Sequence, residues 1–265
     1  MPARAMRRAA FGALLLILPL ISLDRGTTAQ SAPPAADVSK YLIPSPQIVA
    51  TFDAPPLPQV IVSPTRQLLA ITARKGSPSL AELARPTLRL AGMRVDPKNN
   101  GPHRTANNGG AYSLTLKRLA DGREIPVSVP PQASVSNVHF SPNGLRLSFT
   151  NTKDAAIELW IADATTGQAK MMSGMDRLNA ANGDPCDWLH DSVTMICQLV
   201  PPDRGQVPAE PPVPSGPTVL ENHTKAAPAP TYEDMIRTSH DERLFEYYFS
   251  SQLATIDTTS GRSFF

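Results

Sequence analysis

Three residue types that make up a hydrolytic triad stand side by side at His190-Asp191-Ser192. A triad assembles from positions far apart in the chain and aimed at one point. Adjacent residues have the wrong geometry, so this run reads as a hairpin turn and no catalytic residue is assigned. Arg89, Arg94 and Arg104 carry a different chemistry. A guanidinium pairs bidentately with a carboxylate, so these three could receive an acidic side chain of a ligand; the competing reading is salt-bridged or solvated surface. His103, His139, His223 and His240 show no metal-ligand spacing. Cys186 and Cys197, without paired ligands nearby, fall short of a four-coordinate zinc set. Neither a metal nor a cofactor is expected. Asn107-Asn108-Gly109-Gly110 lacks the strand-to-helix setting of a phosphate loop, and Trp160 and Trp188 sit at strand positions that read as core.

The two cysteines admit two readings. In an oxidising compartment Cys186 and Cys197 can be bridged. Bridging them across a hairpin puts Leu189 opposite Thr194 and leaves a loop of about four residues, a permitted length. The alternative is two independent buried thiols.

The elements that must position these residues are repeated hairpins. Val60-Ile61-Val62-Ser63-Pro64 leads through a polar turn into Leu68-Leu69-Ala70-Ile71. Val138-His139-Phe140-Ser141-Pro142-Asn143-Gly144 leads into Leu145-Arg146-Leu147-Ser148-Phe149, and Cys186-Asp187-Trp188 leads into Val193-Thr194-Met195-Ile196. Apolar residues alternate or form short runs, as in strands. A second hairpin follows each: one turns at Asp121-Gly122, one between Asp163 and Gly167, one between Asp257 and Gly261. Asp caps such a turn with its side chain and Gly takes the left-handed position. Four antiparallel strands, used three times at a period of about 40 to 50 residues, are the signature of propeller blades. The competing fold is a β-sandwich of unrelated hairpins.

The fold expected is therefore all-β, a partial β-propeller of four-stranded antiparallel blades with Pro-rich and short helical insertions. The blades fall at about 57–130, 133–173 and 180–265, with an insertion at about 201–250; residues 30–56 form an N-terminal segment. The first blade is lengthened by residues 76–110, and the insertion in the third begins with a Pro-rich stretch that should be extended. Short helices are expected to open at Ser45-Pro46, to cover about 79–84, and to follow Ser239, whose capping box would be completed by Glu242. Closure of a propeller takes typically four to eight blades, so three leave it open, and the last unit reaches Phe265 in or just before its fourth strand.

A formal charge of +2 over 265 residues leaves no basic stripe for a phosphate backbone, so nucleic acid is excluded as a partner. The 28 prolines argue against a mainly helical fold. Arg4, Arg7 and Arg8 precede an apolar run, and Thr27 and Ala29 have the small-residue spacing of a signal-peptidase site. Residues 1–29 read as a signal peptide cut between Ala29 and Gln30, which makes the protein exported, periplasmic or extracellular. The run is short for a span of about 20 residues, and no stable membrane span is expected.

Several stretches resemble the N-terminal region of glutamyl endopeptidases, a branch of the prolyl oligopeptidase-like (S9) serine peptidases. They are Tyr41-Leu42-Ile43-Pro44, Asp53-Ala54-Pro55-Pro56, the Ser63-Pro64 turn, Ala81-Glu82-Leu83-Ala84 and Leu88-Arg89-Leu90-Ala91-Gly92-Met93-Arg94-Val95. Asn100-Gly101-Pro102, His240-Asp241-Glu242, Leu244-Phe245-Glu246-Tyr247-Tyr248 and Ser251-Gln252-Leu253-Ala254 continue the series. The resemblance implies a propeller that limits access of peptide substrates to an α/β-hydrolase domain carrying a Ser-His-Asp triad, the Ser on a Gly-x-Ser-x-Gly elbow. That elbow is absent from the sequence. The chain is thus expected to be the access-gating part, lacking the C-terminal hydrolase domain and inactive alone. A stand-alone secreted propeller that binds proteins or peptides is the alternative, and a non-functional remnant of a disrupted frame is a third reading.

Overall fold

The repeated unit is a set of four antiparallel strands, and among the described residues it occurs three times, the first two sets being joined into one eight-stranded sheet. A computed structural model describes residues 44–103, 110–213 and 234–265. Residues 47–265 form one compact unit; of residues 1–46 only the last three are described, so Ala29, Gln30 and the leader lie outside the described residues. Helix α1 (Pro46–Phe52) comes first, then strands β1 (Gln59–Val62) and β2 (Leu68–Arg74). An insertion follows, with α2 (Leu80–Leu83), β3 (Leu88–Leu90), β4 (Met93–Asp96) and β5 (Gly101–Pro102). Strands β6 (Ala111–Arg118) and β7 (Glu124–Pro126) then complete the first blade, in the order β1-β2-β6-β7.

The second blade has no insertion: β8 (Val135–Phe140), β9 (Arg146–Thr152), β10 (Ile157–Asp163) and β11 (Ala169–Met171) are consecutive neighbours. One residue pair, Ala111 opposite Val135, joins it to the first blade. The third blade is β12 (Cys186–Trp188), β13 (Thr194–Leu199), β14 (Gln252–Asp257) and β15 (Ser263–Phe264), with helix α3 (Ser239–Phe249) inserted before β14. Both insertions leave a blade at the same point, between its second and third strands.

Packing distinguishes blades from a sandwich of unrelated hairpins. In β2 and β13 burial alternates, so one face of each sheet is covered. In β9 and β10 both faces are buried, because the second blade is packed on two sides. Leu147, Phe149 and Ala162 pack with Ala70, Leu114 and Leu116 of the first blade. Ile157, Leu159 and Ile161 pack with Met195, Cys197, Ala254 and Ile256 of the third. Burying each large aliphatic or Phe side chain contributes roughly 1.5–3 kcal/mol. The repeated turn residues act as expected. Ser63 and Ser141 are buried, and their hydroxyls accept from Leu68 N–H at 3.0 Å and Arg146 N–H at 3.0 Å. Asp163 Oδ1 accepts from Thr165 and Thr166 N–H, and Asp257 Oδ1 from Thr259 and Ser260 N–H.

Two local expectations need correction. The cap of α3 is Thr238 with Asp241, one residue earlier than Ser239 with Glu242: Asp241 N–H donates to Thr238 Oγ1 at 3.1 Å, and Asp241 Oδ2 accepts from Thr238 N–H at 2.9 Å. Both registers present a hydroxyl residue with an acid three positions on, and the structure uses the first. The first insertion, whose sequence predicts one strand at Leu88-Arg89-Leu90, forms a three-stranded sheet, β3-β4-β5. No helix among the described residues is long and apolar enough to cross a membrane.

Candidate functional site

The chemistry-bearing residues concentrate where the two insertions meet. Ala91 and Gly92, both at positive φ, form the two-residue turn between β3 and β4. That turn sets the register and puts Arg89 directly opposite Arg94. Like charges at such a pair repel, and a carboxylate from the other insertion offsets this. Asp234 lies 3.7 Å from Arg89 and 4.0 Å from Arg94, and its backbone carbonyl accepts from Gly92 N–H at 3.1 Å. Asp234 is largely buried at 14% side-chain exposure, whereas the two guanidinium side chains are 60% and 50% exposed. The structure therefore brings together two of the three predicted arginines. Arg104 lies outside the described residues.

Beneath this pair the insertions share a small core of Leu90, Val95, Ala181, Leu244 and Tyr248. A buried amide pair locks it. Asn100, at φ 59°, donates to Asn179 Oδ1 and, at 2.9 Å, to the Tyr248 carbonyl. Asn179 Nδ2 donates to the carbonyls of Tyr248 at 3.1 Å and Ser250 at 2.9 Å. Arg204 donates to Asn100 Oδ1 at 2.6 Å, and its guanidinium sits 4.1 Å above the Tyr247 ring. Of these, Leu90, Val95, Asn100, Leu244, Tyr247 and Tyr248 lie in stretches that carry the family resemblance, whereas Asn179, Ala181 and Arg204 did not stand out in the sequence. The partners come from segments far apart, and no local pattern marks them.

A cavity of about 640 Å³ opens between this assembly and the second blade, lined in part by Glu82, Arg85, Asp96, His103, Lys153 and Asp154. Several of its charges are paired. Arg85 pairs with Asp154 and lies 3.6 Å from Asp96, while Lys153 pairs with the buried Glu158. Burial works to raise the Glu158 carboxyl, but hydrogen bonds from Lys153, Trp160 and Asn151 outweigh it and hold the group below its ordinary value.

No hydrolytic constellation is present among the described residues. Asp191 Oδ1 accepts from Val193 N–H at 2.9 Å and Thr194 N–H at 2.8 Å, while Ser192 Oγ accepts from Asn143 N–H at 3.0 Å. His190-Asp191-Ser192 is a hairpin turn tied to the second blade. The hydrogen bond from Thr194, the largest influence, holds the Asp191 carboxyl below its ordinary value. His139 and Asp184 form a pair between β8 and the approach to β12; that hydrogen bond, ahead of the opposing burial, raises the imidazole above 6.5. No cluster of His, Cys, Asp or Glu among the described residues could hold a metal ion. Cys186 and Cys197 face each other in the β12/β13 ladder and are joined as a disulfide, with Leu189 N–H donating to the Thr194 carbonyl at 2.8 Å. Trp188 packs against the core and donates from Nε1 to Ser148 Oγ at 2.9 Å. Trp160 packs with Phe149, so both indoles are structural.

The architecture is that of propeller-type blades stacked face to face. Comparison with known proteins adds a lineage. The chain is 34% identical over 251 residues to a probable chloroplastic glutamyl endopeptidase of Arabidopsis thaliana, covering 90% of this chain and 26% of that protein. It is 34% identical over 232 residues to the like-named protein of Oryza sativa subsp. japonica, covering 83% of this chain and 24% of that one. The chain is thus a homologue of the glutamyl endopeptidases and spans about a quarter of the length of the curated relatives it matches. No family model matches it. Among solved structures, Pyrococcus horikoshii acylaminoacyl peptidase aligns over 82% of this chain and 25% of its own, at 13% identity and a TM-score of 0.40. TolB from Acinetobacter baumannii aligns over 80% and 41%, at 15% and 0.31.

Proposed function

We propose that these residues are the access-gating propeller portion of an exported glutamyl endopeptidase-like serine peptidase, whose hydrolytic machinery belongs to an α/β-hydrolase domain outside them. The observation that carries this reading is the identity of 34% along 90% of the chain to a relative of which it spans only 26%. The absence of a triad arrangement among the described residues agrees with it. In this reading peptides reach the hydrolase past the blades, and the Arg89/Arg94 pair, two cations on one buried carboxylate, is the surface that meets acidic side chains. The Cys186–Cys197 bridge supports export to an oxidising compartment, and mass spectrometry of exported protein should find an N-terminus near Gln30.

The test is a chimera in which the chain replaces its matching stretch of the Arabidopsis relative. The chimera should label with a serine-directed fluorophosphonate and cleave a short peptide after Glu while leaving a folded protein intact. The chain alone should neither label nor cleave. A folded but inactive chimera, or a specifically labelled serine in the chain alone, would sink this reading.

A further inference from the structure

Strand β1 is the open edge of the first blade: among the described residues it pairs with β2 on one side and with no strand on the other. Register shows which of its backbone groups face the open side. Ser63 N–H donates to the Leu68 carbonyl at 2.9 Å, so Ser63 and Leu68 are a hydrogen-bonded pair. Such pairs alternate along an antiparallel ladder, which makes Ile61–Ala70 and Gln59–Thr72 the next two. Val60 and Val62 stand opposite Ile71 and Leu69 without bonding to them, and their N–H and C=O groups point outward. The neighbouring ladder agrees: Leu119 N–H donates to the Gln67 carbonyl at 2.9 Å, which turns the N–H and C=O of Leu69 and Ile71 toward β6 and away from β1. Nothing bonds to the backbone of Val60 or Val62 among the described residues.

These two residues also present apolar side chains. Successive strand residues face opposite sides of a sheet. Ile61 turns toward the core shared with the second blade, while Val60 and Val62 turn away from it at 50% and 55% exposure. Beside them on that face lie Leu69 and Ile71, both half-buried. Strand β1 carries no charge, and the charges farther along the same rows, Lys117 and Glu124, pair with each other at 3.2 Å. The outward repeat is also bounded: the next residues of the same parity, Pro58 and Pro64, have no N–H to offer. Two donor–acceptor sets about 6.6 Å apart, uncharged and flanked by aliphatic side chains, match an extended main chain with aliphatic residues at alternate positions.

We propose that β1 binds an extended, uncharged peptide segment by strand addition, antiparallel as in the ladders of all three blades. The backbone of Val60 and Val62 supplies the hydrogen bonds, and alternate aliphatic side chains of the peptide lie beside theirs. The choice of a peptide rests on the peptidase-propeller reading, but the binding needs no hydrolase and is separate from the Arg89/Arg94 pair.

Calorimetric titration of the full 265-residue protein with Thr-Val-Thr-Val-Thr, acetylated and amidated at its ends, tests the proposal. Saturable binding is expected. N-methylation of both peptide valines, whose N–H groups would meet the Val60 and Val62 carbonyls, should weaken it roughly thirtyfold by removing two hydrogen bonds. N-methylation of the central threonine, whose N–H would point away from β1, should change it by less than about threefold. Val60→Pro removes an outward N–H, a change that edge strands tolerate, and should weaken binding about tenfold. Val62→Lys alters only an exposed side chain; it should weaken binding and leave the thermal midpoint of the free protein unchanged, and it carries the test if Val60→Pro does not fold. No saturable binding, equal losses from the two methylation patterns, or undiminished affinity in Val62→Lys would overturn the proposal. So would self-association that Val60→Pro abolishes while no peptide binds, because a second copy would then be the occupant. An active chimera whose β1 binds no peptide would refute this site alone and leave the peptidase reading standing.

Discussion

Replacing Asn179 with Ala should loosen the two insertions from each other before it loosens the blades. Asn179 is 3% exposed and stands between the second and third blades. Its amide nitrogen donates to the carbonyls of Tyr248 and Ser250 and to Ser251 Oγ, and its oxygen accepts from Asn100 and from Ala181 N–H at 3.2 Å. Two N–H groups serve three acceptors, so the bonds at risk are about four, each contributing roughly 1 kcal/mol net. Some neighbours keep partners after the change. The Tyr248 carbonyl still receives Asn100, and the exposed Ser250 can turn to water. The buried Ala181 N–H has no such alternative and carries a desolvation cost of about 1–3 kcal/mol. The loss should therefore be about 2–4 kcal/mol, a large fraction of the 5–15 kcal/mol typical of a domain. Denaturant unfolding gives the total, and hydrogen exchange locates it: amides of α3 should lose protection while those of β9 and β10 keep theirs in the folded state. A loss under about 0.5 kcal/mol, or unchanged protection in α3, would refute the reasoning that this amide joins the insertions.

Removing the bridge with Cys186→Ser and Cys197→Ser opens a loop with a sequence separation of 11; chain entropy puts the loss near 3 kcal/mol, and an unfolding midpoint unmoved by reduction of the wild type would contradict it. Gly167→Ala should destabilise by about 2 kcal/mol or more, because the residue has φ 74° and an added Cβ would lie 2.3 Å from the Pro126 carbonyl oxygen; calorimetric unfolding measures it, and a neutral result would mean the first and second blades are not in contact there. The His139–Asp184 pair raises the imidazole above 6.5 in the folded protein, so its stabilisation is full below that pH and fades as pH rises through the folded value. The stability difference between wild type and His139→Asn should shrink accordingly, and a constant difference from about pH 5.5 to 9 would exclude the pair as its source.

The blades were legible because their determinants are local. Strand alternation, the Ser-Pro strand ends and the Asp-to-Gly turns each act within a few residues, and a repeated pattern reinforces itself. Leu189 opposite Thr194 could be counted out for the same reason: a short hairpin fixes its own register. The cap of α3 failed by one residue because Thr238-Asp241 and Ser239-Glu242 offer the same chemistry one position apart, and only the bonds of Asp241 choose between them.

The candidate site was far less legible, and the reason is topological. Both insertions leave their blades between the second and third strands, so stacking the blades brings together segments that are remote in sequence. Asn100 and Asn179 are 79 residues apart, and Asn100 and Tyr248 are 148 apart. Arg89 and Arg94 could be placed opposite each other from the Ala91-Gly92 turn alone, but their carboxylate, Asp234, belongs to the other insertion. Thr72 is the extreme case. Its position in the β2 alternation marks it as facing the core, yet that its buried hydroxyl finds no partner there follows only from the packed blades. A propeller scaffold thus leaves its blades readable from local pattern, while the groups of the candidate site are set by insertions that acquire meaning only when neighbouring blades are stacked.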